Sequence, residues 1–417
     1  MSNILLAWEF GENWGHLSRD LPVARQLRAA GHQVLCAVYD TRIATEVLAP
    51  AAIPFVQAPM SRRIARTTQP IDSYAEMLIV GGYGERDTLH GLIGGWLGLF
   101  ELFNPDVVVI DYAPTALLAA RIAGVPTVLT GSGFELPPLS SPLPSFRTWE
   151  KPSIQRHLLA EEVALRNINH VLAQFQTKPL AQFADIFHGE RKIITTFPEL
   201  DHYGERSGQI YAGPVFEMPQ TQSAQWHKTN TGPRIFAYLR PWIPDIEDLL
   251  HALQASGANV ICAFPGVSAT QLKRFQSPLM QILPTAVTLE PLLTSADLVI
   301  GYGSGTVAAA LLAGVPLLVI PRWSEQYLTA LRVEALGAGL PVRGKQTQAS
   351  YAAMIVTLLS EPGFRTAAKQ FAKKYEGFDT EQAVTCVVDS IQSAIAHNEL
   401  GQRHNTEPTN HPLLKNA

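Results

Sequence analysis

Short apolar runs alternate with helical patterns in two separate series along the chain, and this alternation limits its possible folds more than any other feature. The first series starts with an apolar run at residues 4–8, and the second starts at residues 234–239. Buried strands that alternate with helices form parallel sheets covered by helices on both faces. A polar stretch rich in Gln, Thr and Pro, residues 217–232, lies between the two series and is typical of a linker. The pattern therefore predicts an α/β protein with two doubly wound, Rossmann-like domains that face each other across a cleft.

The two series also predict where the domains begin and end. A chain of 417 residues is long enough for two domains of this kind. We expect a first domain over residues 1–216, the linker over 217–232, a second domain over 233–396 and a frayed tail over 397–417. The irregular segment 58–86 interrupts the first series, and insertions of this kind often carry a binding surface.

Composition argues against several classes of function. The chain has 32 Lys+Arg against 36 Asp+Glu, and its formal charge of −4 gives no basic surface for nucleic acid. Three cysteines lie far apart, and no CxxC or HExxH motif occurs, so we expect reduced thiols and no metal site. The first apolar run is too short for a signal peptide, and no run approaches the roughly 20 apolar residues of a membrane-spanning helix. These observations predict a soluble, cytoplasmic protein.

A glycine-rich turn marks the first candidate ligand site. An apolar strand at residues 298–300 leads into Gly301, Tyr302, Gly303, Ser304, Gly305 and Thr306, where a helix begins. Unpaired amides at a helix start carry the positive end of the helix dipole and can bind a diphosphate. Taken alone, the turn could equally be a tight connection whose glycines serve packing. The next strand leads to Glu325 and Gln326 at the carboxyl edge of the sheet, where a carboxylate and an amide suit sugar hydroxyls.

Over this stretch the sequence resembles the donor motif of the family one nucleotide-sugar-dependent glycosyltransferases, which have two Rossmann-like domains in the GT-B fold. That motif reads HGGxGTxxEAL, then GVPxxxxPxxxDQ, then NAxRVExxGxG. The matching residues keep its spacing without a gap: Gly305, Thr306, Gly314, Val315, Pro316, Pro321, Glu325, Gln326, Ala330, Arg332, Val333, Glu334, Gly337 and Gly339. The resemblance implies that the turn from Gly303 to Thr306 binds the donor diphosphate, that Tyr302 also contacts the donor, and that Glu325 and Gln326 hold the sugar hydroxyls.

The sequence departs from this family at three positions. The family's diphosphate-contacting histidine is replaced by Gly301 or Tyr302, depending on the register, and its Glu in the EAL triplet is Ala309. The serine-rich turn that usually follows the first strand of the domain is Leu239-Arg240-Pro241. Arg240 could supply the missing positive charge, since a guanidinium forks well onto phosphate oxygens. The alternative is an ordinary loop arginine in a salt bridge.

A second candidate site lies in the N-terminal half. His16 follows the first strand and opens the first helix, where the helix dipole favours the neutral imidazole that a general base requires. Asp111 ends the strand at residues 107–110 on the same sheet edge, and could hold the second ring nitrogen. The resemblance implies the same roles, because family members carry Gly-His at this turn and an Asp at this strand end. Helix capping by either residue is the alternative.

Aromatic residues in the N-terminal loops predict an apolar pocket for the acceptor. Trp14, Tyr83 and Phe134 are the candidates, while Trp8 and Trp96 are as suited to the core. The apolar segment 89–103 is either buried under the insertion or contacts a membrane surface or a lipid-like acceptor.

The resemblance implies an inverting, metal-independent, hexosyltransferase-like enzyme without a cofactor. It would move a sugar from a nucleoside-diphosphate-sugar, with UDP or dTDP as the carrier, to a hydroxyl of a small-molecule or lipid-like acceptor. Two alternatives remain open. A non-catalytic sugar-nucleotide-binding relative would explain the missing histidine. A dinucleotide-dependent oxidoreductase would explain a glycine turn followed about 20 residues later by an acidic residue.

Overall fold

Two parallel β-sheets, each covered by helices, make up the protein. The computed structural model describes residues 1–12, 14–61, 69–217, 222–228 and 230–404, with side chains up to residue 397. The first sheet contains β1 (Asn3–Trp8), β2 (Gln33–Val38), β3 (Phe55–Gln57), β4 (Val107–Asp111), β5 (Thr127–Gly131), β6 (Arg191–Ile194) and β7 (Ile210–Tyr211). Its helices are α1 (Gly15–Ala29), α2 (Thr41–Val47), α3 (Tyr74–Leu78), α4 (Arg86–Phe103), α5 (Pro114–Ala123) and α6 (Ile154–Gln174). The strand order is β3-β2-β1-β4-β5-β6-β7.

The second sheet repeats the same plan. It contains β8 (Arg234–Tyr238), β9 (Asn259–Ala263), β10 (Met280–Leu283), β11 (Leu298–Gly301), β12 (Leu317–Val319) and β13 (Gly339–Pro341), in the order β10-β9-β8-β11-β12-β13. Its helices are α7 (Ile246–Ala255), α8 (Ala269–Phe275), α9 (Glu290–Leu293), α10 (Ser304–Leu312), α11 (Ser324–Ala335), α12 (Gln348–Ser360) and α13 (Pro362–Lys374), and α14 (Thr380–His404) follows them. The predicted fold class, two doubly wound α/β domains, is confirmed.

Burial on both faces explains the unbroken apolar strands. In β1, Leu5 and Ala7 face a core that includes Trp96 of α4, while Leu6 and Trp8 face a core that includes Leu21 of α1. Side chains alternate between the two faces of a strand, so a central strand needs apolar residues at every position. The strand order places β1 beside β4, with Trp8 paired to Asp111, so the loops that follow these two strands meet at one edge of the sheet.

The last helix corrects the predicted domain limits. The pattern of strands and helices predicts a second domain over residues 233–396 and a frayed tail over residues 397–417. Instead, α14 extends to His404, and its apolar face, which includes Val384, Val387 and Ile391, packs into the first domain's core with Leu21 of α1. Burial of that face stabilises the helix where an isolated tail would fray. Residues 405–417 lie outside the described residues.

The apolar segment 89–103 is helix α4, and its buried face accounts for much of its composition. Leu89, Ile93, Trp96 and Phe100 are buried in the core of the first domain, whereas Leu102 on the other face is 87% exposed. This arrangement matches the burial alternative. In the described part of the chain, no helix combines the length and the apolar character needed to cross a membrane.

A buried carboxyl after β1 should make stability depend on pH. Glu9 is buried, its carboxyl accepts a hydrogen bond from the Thr115 backbone N–H at 2.9 Å, and it also contacts the Thr115 hydroxyl. Burial raises the pKa of Glu9 from 4.5 to about 8. Because the unfolded chain releases this proton at a lower pH than the folded protein does, stability should fall as the pH rises from about 5 to 8.5.

We expect Glu9→Gln to remove most of this dependence, since an amide keeps the acceptor for Thr115 and does not ionise. The wild type should lose on the order of 3 kcal/mol more unfolding free energy between pH 5 and pH 8.5 than the variant does. Denaturant unfolding at both pH values measures this difference. Glu46→Gln, which changes an exposed carboxylate on α2, is the matched control. Equal pH dependence in Glu9→Gln and wild type would contradict the prediction.

Candidate active site

A cavity of about 450 Å³ between the two domains contains most of the predicted site residues. Its wall in the first domain includes His16, Tyr112 and Phe134. Its wall in the second domain includes Tyr302, Gly303, Ser304, Glu325 and Gln326. The two candidate sites of the sequence analysis are therefore opposite walls of one cavity.

His16 and Asp111 form a buried pair on the first-domain wall. His16 lies in the first turn of α1, which follows β1, and Asp111 is the last residue of β4. Because β1 and β4 are parallel neighbours, their carboxyl ends bring the two residues together. The distance from His16 Nδ1 to Asp111 Oδ2 is 3.0 Å, and the Asp111 side chain is 2% exposed. A carboxylate can only accept, and the two hydrogens of the nearby Arg19 Nη2 are used by carboxylate oxygens of Asp111 and Glu135 at 2.7 and 2.9 Å, so Nδ1 carries the proton and Nε2 keeps its lone pair. This is the tautomer that a general base needs.

The imidazole of His16 is held in a fixed orientation by its neighbours. The ring stacks against Trp8 and Tyr112, with centroid distances of 5.1 and 5.9 Å. Gly11 lies beside Nε2 and has a φ of +88°, and a Cβ at this position would come within 2.4 Å of that nitrogen. A glycine is therefore required here both for the backbone conformation and for the room that the ring occupies.

Arg19 and Glu135 extend the pair to a buried cluster of four side chains. Arg19 Nη2 donates to Asp111 Oδ1 at 2.7 Å and to Glu135 Oε1 at 2.9 Å, and it lies 3.0 Å from His16 Nδ1. Burial opposes ionisation of both carboxyls, but the charge of Arg19 lowers the pKa of Asp111 and of Glu135 below their ordinary values. Both side chains are therefore carboxylates.

The same cluster has the chemical composition of a cation site. His16, Asp111 and Glu135 each offer one ligand atom, and these atoms lie within 4.8 Å of one another. The guanidinium of Arg19 contacts all three residues, so its charge takes the position that a metal ion would use. The cluster thus has the features of an internal ion-pair network.

Two helix N-termini form the second-domain wall. Gly303 precedes α10 and Ser304 begins it, and both line the cavity, so the N-terminus of this helix, whose first amides have no partner within the helix, lies on the wall. Ser324 begins α11, whose first turn carries Glu325 and Gln326. The Gln326 side-chain oxygen accepts a hydrogen bond from the Arg322 N–H at 2.9 Å, which leaves the amide NH2 of Gln326 to donate. Amides, a carboxylate and a side-chain NH2 suit a ligand with an anionic group and several hydroxyls.

Arg240 lies behind Tyr302. Its Nε donates to the Tyr302 hydroxyl at 3.1 Å, and its Nη2 donates to the Tyr238 hydroxyl at 3.2 Å. Within the described residues Arg240 forms no ion pair, so the salt-bridge alternative does not apply there. Gly305, in the first turn of α10, faces Phe216. Among the described residues, neither Gly305 nor Thr306 lines the cavity, although both were predicted to bind the donor.

Two of the three predicted acceptor residues lie elsewhere. Phe134 lines the cavity. Tyr83 was predicted to contact the acceptor, but its side chain is fully buried and its hydroxyl is 2.9 Å from that of Thr115. Trp14 packs against the core of the first domain and is not part of the wall that the described residues form. Sequence reasoning could not separate these aromatic residues, because loop and core positions alike accept them.

A histidine that the sequence analysis did not single out bridges the domains. His202 Nδ1 donates to the Ser132 carbonyl at 3.1 Å, and its Nε2 lies 3.0 Å from Thr329 Oγ1 and 3.3 Å from Glu325 Oε1. Ser132 belongs to the first domain, whereas Thr329 and Glu325 lie on α11. His202 therefore connects the wall of one domain to a predicted sugar-binding residue of the other.

Arg19 and Glu135 were also missed, although both had a signal in the sequence. Arg19 is three residues after His16, on the same face of the predicted helix. Glu135 follows β5, whose carboxyl end lies beside that of β4 at the same sheet edge. His202 had no comparable signal, since its position depends on how the two domains meet.

Known proteins similar to this chain point to one enzyme class. Residues 247–388 match the family model for the Erythromycin biosynthesis protein CIII-like, C-terminal domain. A PGL/p-HBAD biosynthesis rhamnosyltransferase of Mycobacterium bovis (strain BCG / Pasteur 1173P2) is 25% identical over 380 residues, which cover 86% of this chain and 81% of that protein. The similarity to a curated relative thus extends over both domains.

Solved structures show the same fold. The kitacinnamycin glycotransferase superposes with a TM-score of 0.69 at 18% identity, covering 94% of this chain and 99% of the other. The glycosyltransferase VinC, solved in complex with dTDP, superposes with a TM-score of 0.68 at 18% identity, covering 94% and 100%. The resemblance to family one glycosyltransferases and the GT-B fold are confirmed, and a glycosyltransferase is the enzyme class that these similarities support.

Proposed function

We propose that this glycosyltransferase moves a sugar from a nucleoside-diphosphate-sugar to a hydroxyl of an apolar acceptor, with inversion at the anomeric carbon. The observation that carries the proposal is the cavity itself, where His16 and the N-termini of α10 and α11 line opposite walls. VinC was solved with dTDP, which favours a dTDP-sugar over a UDP-sugar as the donor here.

The proposed reaction is a single displacement. The acceptor hydroxyl donates its proton to His16 Nε2 while its oxygen attacks the anomeric carbon. The bond from that carbon to the diphosphate oxygen breaks, and the nucleoside diphosphate leaves with the bonding electrons. Asp111 stabilises the imidazolium that forms, because its carboxylate accepts the Nδ1 hydrogen. Attack from the side opposite the leaving group inverts the configuration.

The second domain supplies the groups that would stabilise the leaving diphosphate. Amides of the first turn of α10 donate to anionic oxygens without any reorganisation of solvent. A guanidinium has five N–H donors, and the two phenols that hold Arg240 take two of them. Arg240 and Tyr302 would thus take over the role of the family's missing histidine, and the diphosphate could depart without a metal ion.

The acceptor would lie against the first domain, beside His16. Phe10, Ile71, Met77, Phe134 and Phe146 form an apolar wall there. Ile71 and Met77 come from the segment 58–86, whose residues 62–68 lie outside the described residues. Such a wall favours an acceptor with an apolar ring system and a free hydroxyl.

Nucleotide binding and sugar transfer test the proposal together. We expect dTDP to raise the thermal unfolding midpoint more than UDP, GDP or NAD does, because a ligand that binds only the folded state stabilises it. Transfer from dTDP-sugars to phenolic and macrocyclic acceptors should then be detectable by mass spectrometry. Nucleotide binding without transfer over the whole panel would support the non-catalytic alternative, and stabilisation by NAD alone would support an oxidoreductase.

Arg240→Ala should weaken donor use. Loss of charge-assisted hydrogen bonds costs about 1.5–3 kcal/mol, so kcat/KM for the donor should fall about 10- to 100-fold. Steady-state kinetics with varied donor measure this change, and Arg240→Lys should restore part of it. Arg274→Ala on α8, which removes an exposed arginine paired with Glu247, is the matched control. A donor kcat/KM in Arg240→Ala equal to that of the control would contradict the role.

A further inference from the structure

Arg19 occupies an unusual place beside a general base. It lies one helical turn after His16 on α1, and its side chain is only 13% exposed. One nitrogen, Nη2, contacts both oxygens of Asp111, at 2.7 and 3.0 Å. The residue that orients the imidazole is therefore itself fixed by a buried cation.

The guanidinium also acts on the imidazole directly. Arg19 Nη2 lies 3.0 Å from His16 Nδ1, so a second proton on the ring would place two positive charges next to each other. Like charges at this distance, away from water, disfavour the protonated ring. Arg19 thus favours the neutral ring that can accept a proton, while Asp111 favours the imidazolium that forms during transfer.

Glu135 limits the effect of Arg19. Its carboxylate is 4% exposed and accepts from Arg19 at 2.9 Å. Its other oxygen accepts from the Ser132 N–H at 2.8 Å, which fixes the side chain. Gly131 makes room for it, because a Cβ there would lie 2.8 Å from the carboxylate. The end of β5 and the loop that follows it therefore fix the position of the Glu135 carboxylate.

We propose that Arg19 and Glu135 are positioning residues that set the proton affinity of the His16–Asp111 pair from opposite directions. Arg19 holds Asp111 against His16 and lowers the proton affinity of the ring, and Glu135 partly neutralises Arg19 and raises it. The inference rests on the proposed function, in which His16 is the base.

The charged and titratable groups around His16 come from four places. Asp111 ends β4 and Tyr112 follows it, Arg19 lies on α1 itself, Glu135 follows β5, and Glu12 lies on the cavity wall before α1. Asp20, next to Arg19 on α1, is buried, and burial raises its pKa well above the ordinary value. Of this set, Arg19 and Glu135 can be changed without removing the direct partner of the ring.

The test is the protonation midpoint of His16 in three variants of the full-length protein. NMR titration of protein labelled with ¹³C-histidine reports it, and the resonance that His16→Gln removes identifies the ring. We expect Arg19→Gln to raise the midpoint and Glu135→Gln to lower it, each by about one pH unit or more, since unit charges a few ångströms apart interact by at least about 1.4 kcal/mol in a protein. The double variant should lie between them. The acid limb of kcat/KM against pH should move in the same directions.

Arg25→Gln is the matched control, because Arg25 lies on α1 but is 44% exposed and pairs with Glu217. It should leave the midpoint unchanged. Shifts of the same sign in Arg19→Gln and Glu135→Gln would overturn the inference. If Arg19→Gln fails to fold, an unchanged or raised midpoint in Glu135→Gln would overturn it alone. The titration needs no turnover, so absence of transfer by the wild type would instead count against the proposed function.

Discussion

Replacing His16 by alanine should lower kcat/KM for transfer by about 10³-fold, with little change in dTDP binding. A general base contributes roughly 10²- to 10⁴-fold, and the first-domain wall offers no second imidazole in the described part of the cavity. The donor groups lie on the opposite wall, so nucleotide affinity should survive. Transfer assays and a dTDP titration by calorimetry measure the two quantities separately.

Folding and chemistry can be separated for this variant. Loss of the ring leaves a gap between Trp8 and Tyr112, so His16→Gln serves as a second variant that fills more of the space. His188→Ala, which removes an exposed histidine of the same domain, is the control and should retain full activity. If His16→Ala were folded and kept more than a tenth of wild-type kcat, another group would have to act as the base.

Asp111→Asn should lower kcat by about 10²- to 10³-fold while the KM for the donor stays nearly constant. Asparagine fits the same space, but its NH2 can donate to Nδ1 and thereby favour the tautomer whose Nε2 carries the proton. An imidazole that carries its proton on Nε2 cannot take the proton of the substrate hydroxyl. The substitution also leaves Arg19 with Glu135 as its remaining carboxylate partner in the cluster.

A variant that keeps the negative charge distinguishes this mechanism from general damage to the fold. Asp111→Glu keeps the charge and should recover more activity than Asp111→Asn, although its longer side chain fits the site poorly. Asp40→Asn, which changes a helix-capping carboxylate of α2, is the matched control for stability. Equal activity in Asp111→Asn and Asp111→Glu, at equal thermal midpoints, would show that charge on this residue is not required.

Local patterns predicted the parts of the site that depend on a single sheet edge. Strand β4 is an apolar run because both of its faces are covered, and Asp111, which is itself buried, marks the point where the apolar residues end. His16 follows β1 in the same way. Since carboxyl ends of neighbouring parallel strands meet, the sequence was sufficient to bring these two residues together.

Features that depend on contacts between distant segments could not be predicted in this way. The sequence does not reveal that the apolar face of α14 is covered by the first domain, because this packing depends on residues far away along the chain. Tyr83 and Phe134 are both aromatic residues near loops, and only the packing around Thr115 decides that Tyr83 is buried. His202 acquires its partners on α11 when the two domains come together.

The position of α14 has a mechanical consequence. The chain passes from the first domain to the second after residue 217, and it returns between α13 and α14, which is anchored in the first domain's core. Two domains that are connected by two chain segments rotate more easily about the axis through both connections than they slide or twist against each other. Opening and closing of the cavity should therefore be a hinge rotation about this axis, and closing would bring the donor wall toward His16 along a single arc.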